Sequence, residues 1–246
     1  MNPSFENQGI TLSSGDPLNV LRGRDAFVVG QLGQSLDGRI ATRTGDSKYI
    51  NHKLGLCHLH ALRALVDAVV VGVGTVNDDD PLLTVRLCEG KSPVRVIIDP
   101  KGRVFEKAKL FHDNGPQVII ITDGKKAHPL ADEAHVIGLE CENGRLQPED
   151  IIAALKKLGH HRLLIEGGNR TLSGFIDQGC LDRLHLIVAP MLIGSGYPGL
   201  NLSAISKLDA AMKPGVTLYH LGHDVLFDCD LKGQEPHAPG RARKST

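Results

Sequence analysis

The chain has no tryptophan, and aromatic residues make up only 4% of it. A stacking platform for single-stranded nucleic acid needs several aromatic faces, so that class of function has little support. A charge excess is also missing, since 28 basic residues balance 28 acidic ones. Without a net field there is no electrostatic case for nucleic acid or an anionic membrane as a partner. Only Arg241, Arg243 and Lys244 cluster, in a C-terminal stretch that reads as unfolded. No apolar run approaches the ~20 residues of a membrane span, and the N-terminal stretch lacks an apolar signal core. The five cysteines (Cys57, Cys88, Cys141, Cys180 and Cys229) are scattered, odd in number and form no C-x-x-C. That pattern favours reduced thiols over a disulfide framework or a zinc cage, and a soluble, cytoplasmic protein with no metal site is expected.

What remains is an ordinary globular composition, 41% apolar and 23% charged over 246 residues, enough for a sizeable core. Residues 1–24 carry Asn, Ser, Gly and Pro with little periodicity and read as a mostly irregular leader. One domain is expected over 25–232, followed by a disordered tail at 233–246. Residues 26–32 form a strand candidate, 35–38 a turn, and 39–42 a further extended segment. Asn51 is the candidate cap of a helix with Leu54, Leu56, Leu59, Leu62 and Leu65 on a broad apolar face. Short, continuously apolar runs at 68–73, 94–98, 118–122 and 163–165 suit strands buried on both faces of a parallel sheet. Helix candidates at 148–158 and 172–178 alternate with them, which argues an α/β protein with a mostly parallel central sheet flanked by helices. Residues 216–221 and 224–231 flank Gly222-His223 and read as an antiparallel hairpin closing one edge of that sheet.

Two glycine loops follow such strands. Gly72-Val-Gly74-Thr75-Val-Asn77 resembles part of a dinucleotide fingerprint; a tight turn after a buried strand is the equally weighted alternative. Glu166-Gly167-Gly168-Asn169-Arg170-Thr171 opens a helix, where free N–H groups and the helix dipole suit a phosphate. Together they point to a nucleotide-like ligand. Three aspartates, Asp78, Asp79 and Asp80, stand beside the first loop. Two read as solvated loop acids; one is expected to face a sugar, whose hydroxyls donate to a carboxylate where a phosphate would be repelled. Arg63 and Arg86 then become candidate forked donors for a substrate phosphate. Cys57-His58-x-His60 is discounted as a metal site, because these side chains point around a helix.

The segments SLDGRIAT (35–42), GDSKYI (45–50), VVVGVGTVNDDDPLLTVR (69–86), VRVIID (94–99), LLIEGGNRTLSGFIDQGCLDRL (163–184) and VAPMLIGSG (188–196) together resemble the pyrimidine reductases of riboflavin biosynthesis. That family comprises the C-terminal reductase domain of the bifunctional deaminase–reductase and its stand-alone forms. The resemblance runs in order from about residue 26 to 231. It implies a dihydrofolate-reductase-like fold and NADPH-dependent reduction of 5-amino-6-(5-phosphoribosylamino)uracil to its ribitylamino product, by hydride transfer to sugar C1′. It places Asp79 and Glu166 as catalytic acids near the reacting sugar, with Thr75 beside the nicotinamide. It further implies Ser47, Arg63, Leu83 and Arg86 as substrate contacts, the arginines on the phosphate. Gly33, Tyr49, Gly74, Thr75 and the loop from Gly167 through Gly168, Asn169, Arg170 and Thr171 to Gly174 fall at cofactor contacts. A homodimer is the family's common assembly.

Gln31 stands where bifunctional relatives usually carry Lys beside the sugar, and an uncharged amide there is a stand-alone trait. Pro100 replaces a common Ser near the cofactor, which leaves Lys101 and Arg103 to meet the 2′-phosphate of NADPH. Neither an H-x-E nor a P-C-x-x-C deaminase motif occurs. The alternatives are reduction of the 2,5-diamino-6-ribosylamino-pyrimidinone 5-phosphate, a dihydrofolate or pterin reductase of the same fold, and a nucleotide-binding protein without turnover. The phosphate arginines count against the pterin substrate, and the joint presence of Asp79, Glu166 and both arginines against the inactive binder.

Overall fold

A strand with no polar side must be covered on both faces. Val69, Val70, Val71, Val96, Ile97, Ile120 and Ile121 are all fully buried, and they form the middle of the molecule. The structure, a computed structural model, describes residues 10–48, 50–125 and 128–234. It starts with strands β1 (Ile10–Ser13), β2 (Phe27–Ser35) and β3 (Arg39–Ala41), then helix α1 (Lys53–Leu65). Strand β4 (Ala68–Gly72) runs directly into α2 (Val73–Asp79); β5 (Val94–Ile98), α3 (Lys109–His112) and β6 (Val118–Asp123) follow. Next come β7 (His135–Leu139), the small pair β8 (Cys141–Glu142) and β9 (Arg145–Leu146), α4 (Pro148–Lys157) and β10 (Arg162–Ile165). The chain ends with α5 (Asn169–Asp177), β11 (Arg183–Ala189), β12 (Tyr197–Pro198), β13 (Gly215–Leu221) and β14 (Asp224–Asp230).

One ten-stranded sheet has the order β1-β13-β14-β11-β2-β10-β4-β5-β6-β7. Strand β14 runs antiparallel to both its neighbours; every other pairing in the sheet is parallel. This is the mostly parallel sheet with a C-terminal antiparallel hairpin that the sequence predicts. Helices α1, α2 and α3 pack through Leu62, Val76 and Leu110 on one face, against Val29, Val69 and Leu164. Helices α4 and α5 cover the other through Leu155, Leu172 and Phe175, against Val28, Val70 and Ile165.

Four expectations need correction. The leader is not irregular throughout: Ile10–Ser13 pairs with β13, and Leu18 and Leu21 enter the core at 4% and 1% exposure. The hairpin therefore does not close the sheet, because β1 adds a strand outside it. Asn51 does not cap α1; its amide reaches the Ile187 carbonyl at 3.4 Å, and His52 holds the cap position without a side-chain cap. The Asp224 carboxylate, from β14, accepts the His52 N–H at 2.7 Å and faces its ring Nδ1 at 3.0 Å, a negative charge at the positive end of the helix. Nor is the leucine stripe the buried face of α1. Leu54 and Leu56 are exposed, while Gly55, His58, His60, Leu62 and Arg63 turn inward. Residues 1–9 of the leader and 235–246 of the expected tail lie outside the described residues.

Candidate active site

The chain leaves β4 through α2 towards β5, and leaves β10 through α5 in the opposite direction, towards β11. Since β4 and β10 are neighbours, the point between them is a topological switch point, where open α/β sheets place their ligands. Glycines bring the two helix starts together. Gly72 and Gly168 are the N-caps of α2 and α5. A Cβ on Gly72 would lie 2.5 Å from Thr171 Oγ1, and one on Gly167 (φ 108°) 2.7 Å from Thr75 Oγ1. The Gly168 N–H donates to Thr75 Oγ1 at 3.1 Å. These glycines thus serve the close approach of one helix to the other. The first one ends a strand and caps a helix; the expected loop at 72–77 is α2 itself. Gly74 differs: it is exposed, and nothing within 4 Å would meet a side chain there; the half-buried Gly174 has the same open space. Asn169 ties the start of α5 to the Pro198 carbonyl at 3.1 Å, and Arg170 beside it is exposed.

Glu166 directly follows β10 beneath α1, 5% exposed, and Arg63 of α1 grips it with both prongs: Nε to Oε1 at 2.8 Å and Nη2 to Oε2 at 2.7 Å. Arg63 Nη1 also donates to the Thr84 carbonyl at 3.2 Å. Burial opposes the charged guanidinium, but Glu166 outweighs it and raises the Arg63 pKa. Among the described residues three of the five guanidinium N–H groups find partners, which leaves two for a ligand. Arg86 is exposed and donates to the neutral Thr84 Oγ1 at 2.8 Å; partial burial and then the charge of Arg63 lower its pKa. Between them Leu83 has φ 57° with its side chain 1% exposed, a conformation that costs a non-glycine residue about 1 kcal/mol or more. Its side chain is buried in the core.

Asp79 lies on the exposed last turn of α2, four residues after Thr75 and so on the same helix face. Loss of water around its carboxyl raises the pKa, Asp78 adds to the rise, and Lys48 opposes it. Asp80 is the left-handed C-cap of α2 and accepts the Lys109 N–H at 2.8 Å, a structural role. Gln31 is buried at 7% on β2, level with His185 of β11. The space a side chain at Gly33 would need is held by Asn51, whose Oδ1 would stand 1.7 Å from that Cβ. Ser47 is half-buried, and Tyr49 lies outside the described residues. Lys101 and Arg103 are exposed on the turn after β5. Asp99 Oδ2 organises that turn, accepting the N–H groups of Arg103 at 2.6 Å and Val104 at 2.7 Å, and Asn77 of α2 joins it through the Arg103 carbonyl at 2.9 Å.

Several of these supports were not anticipated from sequence. Asp37, for one, accepts from Ser35 Oγ at 2.5 Å and from the N–H groups of Ile193 at 3.1 Å and Gly194 at 2.6 Å. Those bonds hold its pKa down at about 2 and fasten the 193–194 loop to the end of β2. A second is buried beneath α1: His58 Nε2 and His185 Nδ1 are 2.9 Å apart, His185 Nε2 is 3.3 Å from Asp228 Oδ1, and Arg183 grips Asp228 at 2.7 and 2.8 Å. No local signal in the sequence pointed to it; in β14, Asp224, Leu226 and Asp228 are buried.

The sequence and the fold have counterparts among known proteins. Residues 26–218 match the family model of the RibD C-terminal domain. The riboflavin biosynthesis protein RibD of Aquifex aeolicus is 38% identical over 205 residues, covering 82% of this chain and 56% of that protein. The 2,5-diamino-6-ribosylamino-4(3H)-pyrimidinone 5′-phosphate reductase of Methanothermobacter thermautotrophicus is 30% identical over 220 residues, covering 84% of this chain and 99% of that one. Among solved structures, the diaminohydroxyphosphoribosylaminopyrimidine deaminase/5-amino-6-(5-phosphoribosylamino)uracil reductase of Thermotoga maritima superposes with a TM-score of 0.72 at 30% identity, covering 87% of this chain and 58% of that one. The chain thus spans about half the length of the RibD proteins it matches and nearly all of the archaeal reductase. It belongs to the RibD C-terminal domain family.

Proposed function

We propose that this chain is the reductase of riboflavin biosynthesis that converts 5-amino-6-(5-phosphoribosylamino)uracil to its ribitylamino product with NADPH. The observation that carries the reading is the grouping at one switch point: two helix starts locked together by Thr75 and Thr171, beside a buried Glu166–Arg63 pair and a second, exposed arginine. The chemistry needs an opened sugar whose C1′ forms an imine with the pyrimidine amine; NADPH supplies the hydride that C1′ takes up, and the nitrogen gains a proton. The chain's own part is then to hold two ligands at near-attack distance and to manage that proton.

Arg86 and the two spare N–H groups of Arg63 suit the substrate phosphate. Asp79, on the Thr75 face of α2 and with a raised pKa, is the better proton donor of the two acids. Glu166, both of whose oxygens are taken by Arg63, fixes that arginine and so acts as a positioning residue; this revises the catalytic role the resemblance implied for it. The exposed Gly74 and Arg170 and the half-buried Thr75 fit the middle of a dinucleotide laid across the helix starts, and Lys101 and Arg103 fit its 2′-phosphate. The archaeal relative's name favours a second substrate, the pyrimidine that still bears its 2-amino group, and Gln31 agrees with that class.

Oxidation of NADPH in the presence of each pyrimidine tests the reading. Turnover of one and not the other names the substrate; tight NADPH binding with no turnover of either abandons the assignment. A homodimer is our further expectation, supported by the exposed Ile10 and Leu12 on the edge strand β1, and a mass measurement in solution checks it. A cytoplasmic location accords with the five free cysteines.

A further inference from the structure

His60 takes no part in the reading above, yet it is 5% exposed, three residues before Arg63 on the inward face of α1. The segment that carries Arg86 runs alongside. Its Thr84 carbonyl accepts from Arg63 Nη1 at 3.2 Å, and its Arg86 N–H donates to His60 Nδ1 at 2.9 Å. In extended backbone the carbonyl before a residue and the N–H after it point to the same side, so two side chains of α1 bracket Val85 as a neighbouring parallel strand would. The Val85 N–H is taken by Ser92 Oγ at 2.9 Å, and Gly90 packs so closely on α1 that a Cβ there would lie 2.6 Å from Ala64 Cβ. The whole 84–92 loop is therefore docked on this helix.

We propose that His60 is the positioning residue of an anion cradle: its Nδ1 sets Arg86 against Arg63 for a phosphomonoester, and its Nε2–H is a further donor to the same ligand. This rests on the phosphate role given to the arginines above. Because Nδ1 accepts the Arg86 N–H, the proton of the neutral ring is on Nε2, and among the described residues no group accepts it. Burial, then the charges of Arg63 and Arg86, hold the His60 pKa down at about 4, so the ring stays an acceptor at neutral pH. The cluster also carries an unbalanced charge. Glu166 answers Arg63, but Arg86 has only the neutral Thr84 hydroxyl as a partner among the described residues. A phosphate dianion supplies what is missing.

The test is calorimetric binding of ribose 5-phosphate and of ribose to the wild-type protein and to His60→Ala, His60→Gln and His60→Asn. Asparagine presents an oxygen where Nδ1 was; glutamine places its amide at the Nε2 position and cannot hold the Arg86 N–H. Ribose 5-phosphate should bind the wild type far better than ribose. Alanine and glutamine should weaken it about tenfold or more, asparagine by about threefold, with NADPH affinity unchanged in all. Equal losses in all three variants, or a parallel loss for NADPH, would mean that His60 acts only as packing. Should the alanine variant unfold, the asparagine–glutamine contrast alone decides. Turnover keeps the two claims apart. A wild type that prefers the phosphorylated sugar yet reduces neither pyrimidine retires the reductase reading and leaves the cradle; one that reduces a pyrimidine but ignores the phosphate retires the cradle.

Discussion

Both faces of the central sheet carry an apolar core, but the α1 face adds a buried polar row. Beneath α4 and α5 the contacts are Ile151, Leu155, Leu172, Phe175 and Ile176 on Val28, Val70, Leu163 and Ile165. Beneath α1 a polar row crosses adjacent strands: Asp228 on β14, His185 on β11 and Gln31 on β2 are level in register, and Glu166 directly follows β10 beside them. Helix α1 meets that row with His58 at one end and Arg63 at the other. Apolar packing stabilises in proportion to the area removed from water, and many sequences achieve it. Buried charge adds little net stability, because desolvation cancels most of the attraction, yet removing one partner is severe. The polar row therefore contributes mainly position: it specifies where α1, and with it Arg63 and His60, sits over the carboxyl ends of the strands.

The contrast is sharpest when one residue is truncated on each face. Arg63→Ala leaves Glu166 buried and alone, and a loss of about 3–5 kcal/mol is expected in urea unfolding. Arg63→Ala combined with Glu166→Gln should recover part of that stability but none of the activity. Leu155→Ala on the other face, at a fully buried site, should cost about 2–5 kcal/mol through its cavity. Its KM values should not move. If Leu155→Ala alters KM for either ligand as much as Arg63→Ala does, the division between the faces is wrong.

The junction of the faces is the Gly72–Thr171 contact. Gly72→Ala sets a methyl 2.5 Å from Thr171 Oγ1, an overpacking expected to cost about 1–3 kcal/mol and to push the two helix starts apart. Replacing Thr171 with Ala in the same chain removes the clashing oxygen and should restore most of the stability. A double variant as unstable as the single one would show that Gly72 is needed for its backbone rather than for the contact.

Acid should damage the α1 face first. Burial, then His185, holds His58 at about 3, and His60 lies at about 4, both well below the ordinary 6.5. Below pH 6.5 the unfolded chain takes up protons at these sites that the folded chain refuses. The stability is complete above that pH and falls as pH drops from 6.5 towards 4 and then 3. Asp37, depressed to about 2, contributes in a separate window, lost only as pH falls from 3.8 towards 2. Unfolding free energy against pH should thus show a limb between 6.5 and 4 that flattens in His58→Leu, while the Leu155→Ala protein keeps the limb intact.

How much of this was legible depended on whether the signal was local. The buried strands were, since four short apolar runs need no partner to be recognised, and so was the hairpin around Gly222-His223. Strand β1 was not: Ile10 and Leu12 are exposed, and what makes them a strand is β13, two hundred residues away in sequence. At the site, residue types and their order singled out individual residues, but not who holds whom. Arg63 was expected on a phosphate, and its grip on Glu166 was not foreseen; Gly33 was expected beside a cofactor, and the Asn51 side chain packed against it was not foreseen either. His58 and His60 were set aside because a helix turns them to different sides. That is true of a shared metal, and beside the point for two histidines that each meet a different partner.

Lys101 and Arg103 give the smallest effect on stability and the cleanest test of the division between position and charge. Both are exposed, and the turn that carries them is shaped by Asp99 and Asn77 through backbone atoms alone. Among the described residues their side chains thus have no structural duty. Changing both to Ala should move unfolding by no more than about 0.5 kcal/mol. If they meet the 2′-phosphate, the NADPH KM should rise several-fold while the NADH KM stays where it was, so that the ratio of the two collapses towards unity. Equal KM shifts for both cofactors would place the 2′-phosphate elsewhere. Asp99→Asn makes the complementary change, since it leaves both cations in the chain but weakens the carboxylate that orders their turn. A loss of cofactor discrimination in Asp99→Asn, with Lys101 and Arg103 still present, would show that the charge works only where the backbone has been fixed for it.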